Sequence, residues 1–153
     1  MLLAASGAAR PTRAARGFTL IEIMVVVVIL AILGTLVAPQ ILGRIDEARV
    51  TKAKNDLRLY ESALDMYRMD NFRYPTTDQG LQALVRRPSD PNVRNWRPEG
   101  YVKQLVQDPW DRDYVYVAPG TNGAPYDLYT LGADGQPGGE GTDADIHVRE
   151  MTQ

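Results

Sequence analysis

From Phe18 to Ala38 the chain is apolar almost without interruption, and Glu22 is the single charged residue in those 21 positions. A run of that length is enough to cross a bilayer as a helix. Beyond Pro39 the pattern changes. Apolar residues recur at Leu42, Ile45, Ala53, Leu57, Tyr60, Leu64 and Tyr67, the last of them spaced 4, 3, 4 and 3 apart. That spacing is one stripe of an amphipathic helix. Between the apolar positions lie Asp46, Glu47, Arg49, Lys52, Lys54, Asp56 and Arg58, a solvated face. The helix is expected to stop near Asp70-Asn71, because Tyr74-Pro75 cannot continue it. Phe18 to Asn71 is 54 residues, about 80 Å at roughly 1.5 Å per residue. The first half, 18–38, is membrane-grade and the second half, 39–71, is amphipathic. Such a helix can pack with copies of itself at one end and carry a small domain at the other.

Gly34 and Pro39 weaken this helix. Proline removes a backbone donor and clashes with the carbonyl four residues back, that of Thr35. Two readings stand: a tolerated kink, or a segment that melts when subunits pack together.

Residues 72–153 read as a small α/β and β-sheet region. Thr76 with Gln79 three later is a capping box. It predicts a short helix to about Arg86 with Leu81, Leu84 and Val85 as its apolar face, ended by Arg87-Pro88. Pro88 to Gly100 is a polar loop in which Trp96 is a packing anchor. Asp108-Pro109-Trp110-Asp111 is a turn. Tyr114–Val117 and Tyr126–Leu131 read as strands of a hairpin joined by Gly120–Pro125. The expected class is α+β: a long N-terminal helix carrying a small antiparallel sheet domain.

Charge and composition remove several functions. Lys and Arg number 17, three of them (Arg10, Arg13, Arg16) in the leader 1–17, which has no acid; against 19 acidic residues the remainder carries a net charge of −5. A mildly acidic chain lacks the electrostatic footprint for nucleic acid, and its tyrosines have no basic residues around them to make a stacking platform. There is no cysteine, so disulfide and thiol chemistry are unavailable. His147 is the single histidine, which argues against a histidine-rich metal site or a His-based triad. A membrane-tethered enzyme would have to rely on carboxylates. The closest pair, Asp143 and Asp145, sits in a glycine loop with no apolar pocket to split their pKa values. The chain reads as a non-enzyme.

Gly17-Phe18-Thr19-Leu20-Ile21-Glu22 is the most informative stretch. A carboxylate within an apolar run is costly and marks function. If the chain is cut after Gly17, a new ammonium appears at Phe18, one helical turn from Glu22, and it can neutralise the Glu22 of a neighbouring copy. A secretory signal does not explain the stretch, since the apolar run exceeds a signal core of about 7–15 residues. A plain membrane anchor, with the leader arginines holding the N-terminus in the cytoplasm, is physically adequate. It leaves Gly17 and Glu22 unexplained.

This stretch, with its upstream arginines, resembles the prepilin signal of type IV pilins and type II secretion pseudopilins. The resemblance implies cleavage by a prepilin peptidase between Gly17 and Phe18, N-methylation of Phe18 and a role for Glu22 in assembly.

The second informative stretch is the acidic loop 131–146. Leu131 to Asp145 concentrates glycine and carboxylate with almost no apolar content. Its carboxylates and backbone carbonyls are the hard oxygens calcium takes, but the EF-hand spacing is absent. On composition a solvated acidic turn and a metal site are both open.

Asp127–Gly135, Asp143–Ile146, Asp108-Pro109-Trp110 and Asn71–Leu81 resemble the corresponding parts of the major pseudopilin of type II secretion. The family binds one calcium in this loop. Carried over, Asp134, Asp143 and Asp145 would give side-chain oxygens, and Leu131 and Gln136 backbone carbonyls. The tail His147–Gln153 departs from the family's usual Gly-Asn-Trp ending.

The resemblance implies a type IV pilin-like fold and a major structural subunit of the type II secretion pseudopilus. The precursor would be single-pass in the bacterial inner membrane, leader cytoplasmic and C-terminal domain periplasmic. The mature subunit would join a homopolymeric periplasmic filament that pushes folded exoproteins through an outer-membrane channel. Its partners would be its own copies, the prepilin peptidase, minor pseudopilins and the inner-membrane secretion platform. Alternatives are a type IV pilin, or a competence-type or minor pseudopilin. Glu61 and Asp65 on the helix, with Arg86, Arg87 and Lys103, read either as contacts between subunits or as solvated charges.

Overall fold

The computed structural model describes residues 17–151, and within them the side chains of all but 36–42. The leader residues 1–16 with Arg10, Arg13 and Arg16, and the last two residues, lie outside the described residues. The chain divides into two compact units, Met1–Ile41 and Leu42–Gln153.

One helix, α1, runs from Leu20 to Asn71, and its backbone is helical through Gly34 and Pro39. The helix opens at Thr19, whose carbonyl accepts from Glu22 N at 3.1 Å and Ile23 N at 3.3 Å. Thr19 Oγ1 also accepts from Glu22 N, at 3.3 Å. Thr19 is therefore an N-cap, and it satisfies donors that the first turn leaves without a partner. In the N-terminal unit the large apolar side chains from Leu20 to Leu33 are exposed on every face of the helix. Val25 to Ile29 are β-branched and prefer extended backbone in water. In hydrocarbon a helix satisfies all its own backbone polar groups, which overrides that preference. Among the described residues no helix is long and apolar enough to cross a membrane. The described side chains of the expected span end at Thr35, and its remainder, 36–38, lies outside them.

In the C-terminal unit the amphipathic stripe is the core face. Ala53, Leu57, Tyr60, Leu64 and Tyr67 are buried, while Ile45, earlier in the stripe, is exposed. The helix ends at Asn71 as the sequence predicts, and the device is visible. Phe72 takes a left-handed φ of 61°, and its N–H closes on Arg68 O at 2.7 Å. This is the left-handed C-terminal cap, here built on a residue other than glycine.

The capping box is present. Thr76 N donates to Gln79 Oε1 at 3.1 Å and Gln79 N to Thr76 Oγ1 at 3.3 Å. It does not start an α-helix. Gly80 has a φ of 55°, and only a four-residue 3-10 turn, Leu81–Leu84, follows. Its Leu81, Ala83 and Leu84 still enter the core. Trp96 anchors the next loop as expected, donating its indole N–H to Ala83 O at 2.7 Å.

The hairpin forms between β1 (Val115–Val117) and β2 (Asp127–Thr130), paired antiparallel with Tyr116 opposite Leu128. A third strand, β3 (Ile146–His147), pairs antiparallel with β2, Thr130 opposite Ile146. The sequence pattern gives no sign of β3, because two residues are too few to show alternation. The order is β1-β2-β3. An aromatic core joins the flanks of these elements: Tyr60 of α1 meets Tyr114, just before β1, edge-on at 5.4 Å, and Tyr74, after α1, meets Tyr126, just before β2, at 4.8 Å. Burial raises the pKa of Tyr114, Tyr116 and Tyr126 well above the usual phenol value.

Candidate functional site

Two regions carry the residues singled out by sequence, one in each unit. In the first, Gly17 and Phe18 precede α1 and are exposed, and Glu22 is in the helix's first turn. A carboxylate there is favoured by the unpaired N–H groups of the helix start. Phe18 and Glu22 are four residues apart, so an ammonium at Phe18 would sit within one turn of the carboxylate.

The second region is the acidic loop, which β2 delivers and β3 receives. Gly135 N donates to Leu131 O at 3.2 Å, Ala133 N to Thr142 O at 2.9 Å and Asp145 N to Gly138 O at 3.0 Å. Asp134 Oδ1 accepts from Gln136 N at 3.0 Å, an Asx turn that fixes the exposed carboxylate. Asp145 Oδ2 accepts from Gly138 N at 3.0 Å. Its other oxygen, Oδ1, is buried with no hydrogen-bond partner among the described residues.

Two glycines set the loop's shape. A β-carbon at Gly132 would fall 2.5 Å from Asp143 O, and one at Gly139 would fall 2.4 Å from it. Both glycines have left-handed φ, 63° and 82°. Their absent side chains let the Asp143 backbone lie against both arms of the loop.

The expected ligands Leu131, Asp134, Gln136, Asp143 and Asp145 thus share one folded loop. Leu131 and Asp134 belong to its first turn, Gln136 follows that turn with its N–H on Asp134 Oδ1, and Asp145 closes the second arm. Among the described residues no three His, Cys, Asp or Glu side chains gather as a group that could hold a metal. The donor chemistry is nonetheless that of a hard cation: only oxygens, with one carboxylate oxygen, Asp145 Oδ1, buried and unpartnered.

Sequence reasoning missed the support beneath the loop. Asp108, buried at the start of the turn before β1, accepts from Trp110 N and Arg112 N, each at 2.9 Å, and from the Thr130 hydroxyl. Arg112 in turn donates from Nη2 to Gly132 O. The Asp-Pro-Trp turn was legible, but its reach to residues 130 and 132 was not. His147, a tail residue, stacks on Tyr129 at 4.7 Å. The charged groups Glu61, Asp65, Arg86, Arg87 and Lys103 make no ion pair with one another; Asp65 accepts from the Tyr74 hydroxyl at 2.8 Å and Arg87 donates to Val93 O at 3.1 Å.

Residues 40–149 match the family model described as type II secretion system (T2SS), protein G. Residues 12–38 match the prokaryotic N-terminal methylation motif. The type II secretion system core protein G of Pseudomonas aeruginosa is 60% identical over 131 residues, 85% of this chain and 92% of that one. The protein of the same name from Vibrio cholerae is 58% identical over 130 residues, 85% of this chain and 88% of that one. The crystal structure of the major pseudopilin from the type 2 secretion system of enterohaemorrhagic Escherichia coli matches with a TM-score of 0.59. It is 47% identical and covers 69% of this chain and 90% of its own. With a long helix, a three-stranded antiparallel sheet and a prepilin-type start, the chain belongs to the protein G family of the type II secretion system, the pseudopilins with a type IV pilin-like fold.

Proposed function

We propose that this pseudopilin is cut between Gly17 and Phe18 by a prepilin peptidase, methylated at Phe18 and polymerised as the major subunit of a periplasmic pseudopilus. The observation that carries the reading is the N-terminal unit of α1, apolar and exposed on every face with a single carboxylate in its first turn. A helix apolar all round needs lipid or other helices around it. Lipid surrounds it while the precursor is a single-pass protein of the inner membrane, leader in the cytoplasm and C-terminal domain in the periplasm. Neighbouring helices surround it in the filament. A heterologous contact repeated by rotation and rise gives an open fibre.

In that packing Glu22 pairs with the Phe18 ammonium of a neighbour, so neither charge is left bare in an apolar bundle. The filament, working with minor pseudopilins and the inner-membrane platform, pushes folded exoproteins through the outer-membrane channel. The role is structural rather than catalytic.

The acidic loop holds a calcium ion through Asp134, Asp143 and Asp145, with Leu131 and Gln136 giving carbonyl oxygens. The oxygen-only donors and the unpartnered Asp145 Oδ1 support this. Bound there, the ion supplies positive charge and several oxygen contacts to a chain that has no disulfide. The loop's own residues do the rest: the glycines bring the strands of the loop together and Asp145 ties its second arm to Gly138.

Glu22→Ala tests the assembly reading. Leader removal, read as a mobility shift on immunoblots, should proceed as in the wild type, while sheared filament yield falls at least tenfold. Wild-type filament yield from a fully processed Glu22→Ala protein would sink the pairing role.

A further inference from the structure

Arg112 reaches the acidic loop from twenty residues away in sequence. Its backbone is fixed on both sides: Arg112 N donates to Asp108 Oδ1 at 2.9 Å, and Asp108 N donates to Arg112 O at 2.8 Å. Asp108 is itself buried and accepts from the Thr130 hydroxyl at the end of β2. The guanidinium is thus launched from a closed turn pinned to the sheet.

The guanidinium lies along the glycine face of Leu131–Gly135. Nη2 donates to Gly132 O. A β-carbon at Gly135 would fall 2.8 Å from Nη1 and 3.2 Å from Nε. The Nε atom is buried with no hydrogen-bond partner among the described residues. A buried N–H without a partner is costly, so this placement is not what solvation alone would choose.

The two arms of the loop are held by different means. The first turn, Leu131–Gly135, has its own bond from Gly135 N to Leu131 O and a cation from outside the loop. The second arm, Gly138–Asp145, is joined to the first turn by the bond from Ala133 N to Thr142 O, is closed on itself through Asp145 and Gly138, and leaves Asp145 Oδ1 unpartnered. We infer that Arg112 is a positioning residue for the acidic loop, holding its first turn, with the expected calcium ligands Leu131 and Asp134, in place without a metal. The link to the cation rests on the calcium reading above; the hold on the first turn does not.

The test uses the full chain in detergent micelles, wild type and Arg112→Gln, with calcium and with chelator. Hydrogen exchange is read at the Gly135 amide and at the β2 amides. In chelator the wild type keeps Gly135, whose N–H is bonded within the first turn, protected. Arg112→Gln speeds exchange at Gly135 at least tenfold and leaves β2 unchanged, which a general loss of stability would not do. Calcium titration of the same proteins gives a Kd raised about tenfold in the variant, the scale of losing an outer-shell partner.

Unchanged exchange at Gly135 overturns the proposal. An unchanged Kd in a variant whose first turn has opened overturns the link to the cation. A wild type that binds no calcium defeats the calcium reading instead, and the exchange in chelator still decides the role of Arg112. If Arg112→Gln does not fold, Arg112→Lys, which keeps the charge but not the planar fork, is read by the same two measurements.

Discussion

Tyr60→Phe removes one oxygen from the centre of the C-terminal unit, and its cost can be worked from the contacts. Tyr60 is 1% exposed. Its hydroxyl accepts from Val106 N at 2.8 Å and donates to Val106 O at 3.1 Å. One side chain on α1 therefore closes both backbone groups of a residue in the loop that precedes β1. Phenylalanine keeps the ring and the edge-on contact with Tyr114 at 5.4 Å, so packing is nearly preserved. What remains is a donor and an acceptor left without partners. Each net hydrogen bond contributes about 1 kcal/mol, and stranding a buried polar group costs more. Val106 is half-buried, so water relieves part of that cost. The sum is about 2–3 kcal/mol. For a unit of this size that lowers Tm by on the order of 10 °C. The assay is thermal unfolding of the full chain in detergent, followed by near-ultraviolet circular dichroism of the tyrosines. A Tm within about 2 °C of wild type would show that the loop does not depend on this clamp, and the reasoning would fail.

Phe72→Gly should stabilise the same unit. Phe72 is 87% exposed and holds a φ of 61°, a conformation costing a non-glycine residue about 1–2 kcal/mol. Glycine gives back part of that in chain entropy, leaving a gain of about 0.5–1 kcal/mol, read as a higher urea midpoint; a lower midpoint would mean that the exposed ring makes a stabilising contact. Calcium removal is the second test. At a calcium concentration of about 100 times Kd the ion stabilises the folded chain by about 2.7 kcal/mol. The matching rise in Tm should vanish in chelator and in Asp134→Ala; an equal rise in Asp134→Ala would take that carboxylate out of the site.

The stripe Ala53, Leu57, Tyr60, Leu64 and Tyr67 was legible because helical burial repeats every three to four residues, and all five are buried. The stop at Asn71 was legible from Tyr74-Pro75, and the hairpin from its β-branched and aromatic residues between turns. The capping box at Thr76–Gln79 forms, but the short helix it predicts to about Arg86 is confined to the 3-10 turn Leu81–Leu84. Gly80, with its φ of 55°, turns the chain before an α-helix can propagate. Polar clamps were invisible. Nothing in the sequence tells that Tyr60 would serve Val106, or Asp108 would serve Thr130, because these bonds join residues far apart in the chain.

Local and periodic features were legible in the chain: the apolar first half of α1, its lone Glu22, the Gly17-Phe18 junction ahead of it, the amphipathic second half and the oxygen-rich loop. Each follows from neighbours in the chain, through burial, helix geometry or charge. The shape and support of the acidic loop came instead from contacts between distant segments. The approach of Asp143 to Gly132 and Gly139, the guanidinium of Arg112 beneath the first turn and the pairing of Ile146 with Thr130 all join distant segments. Such contacts are set by where the sheet and helix place those segments, not by the residues beside them.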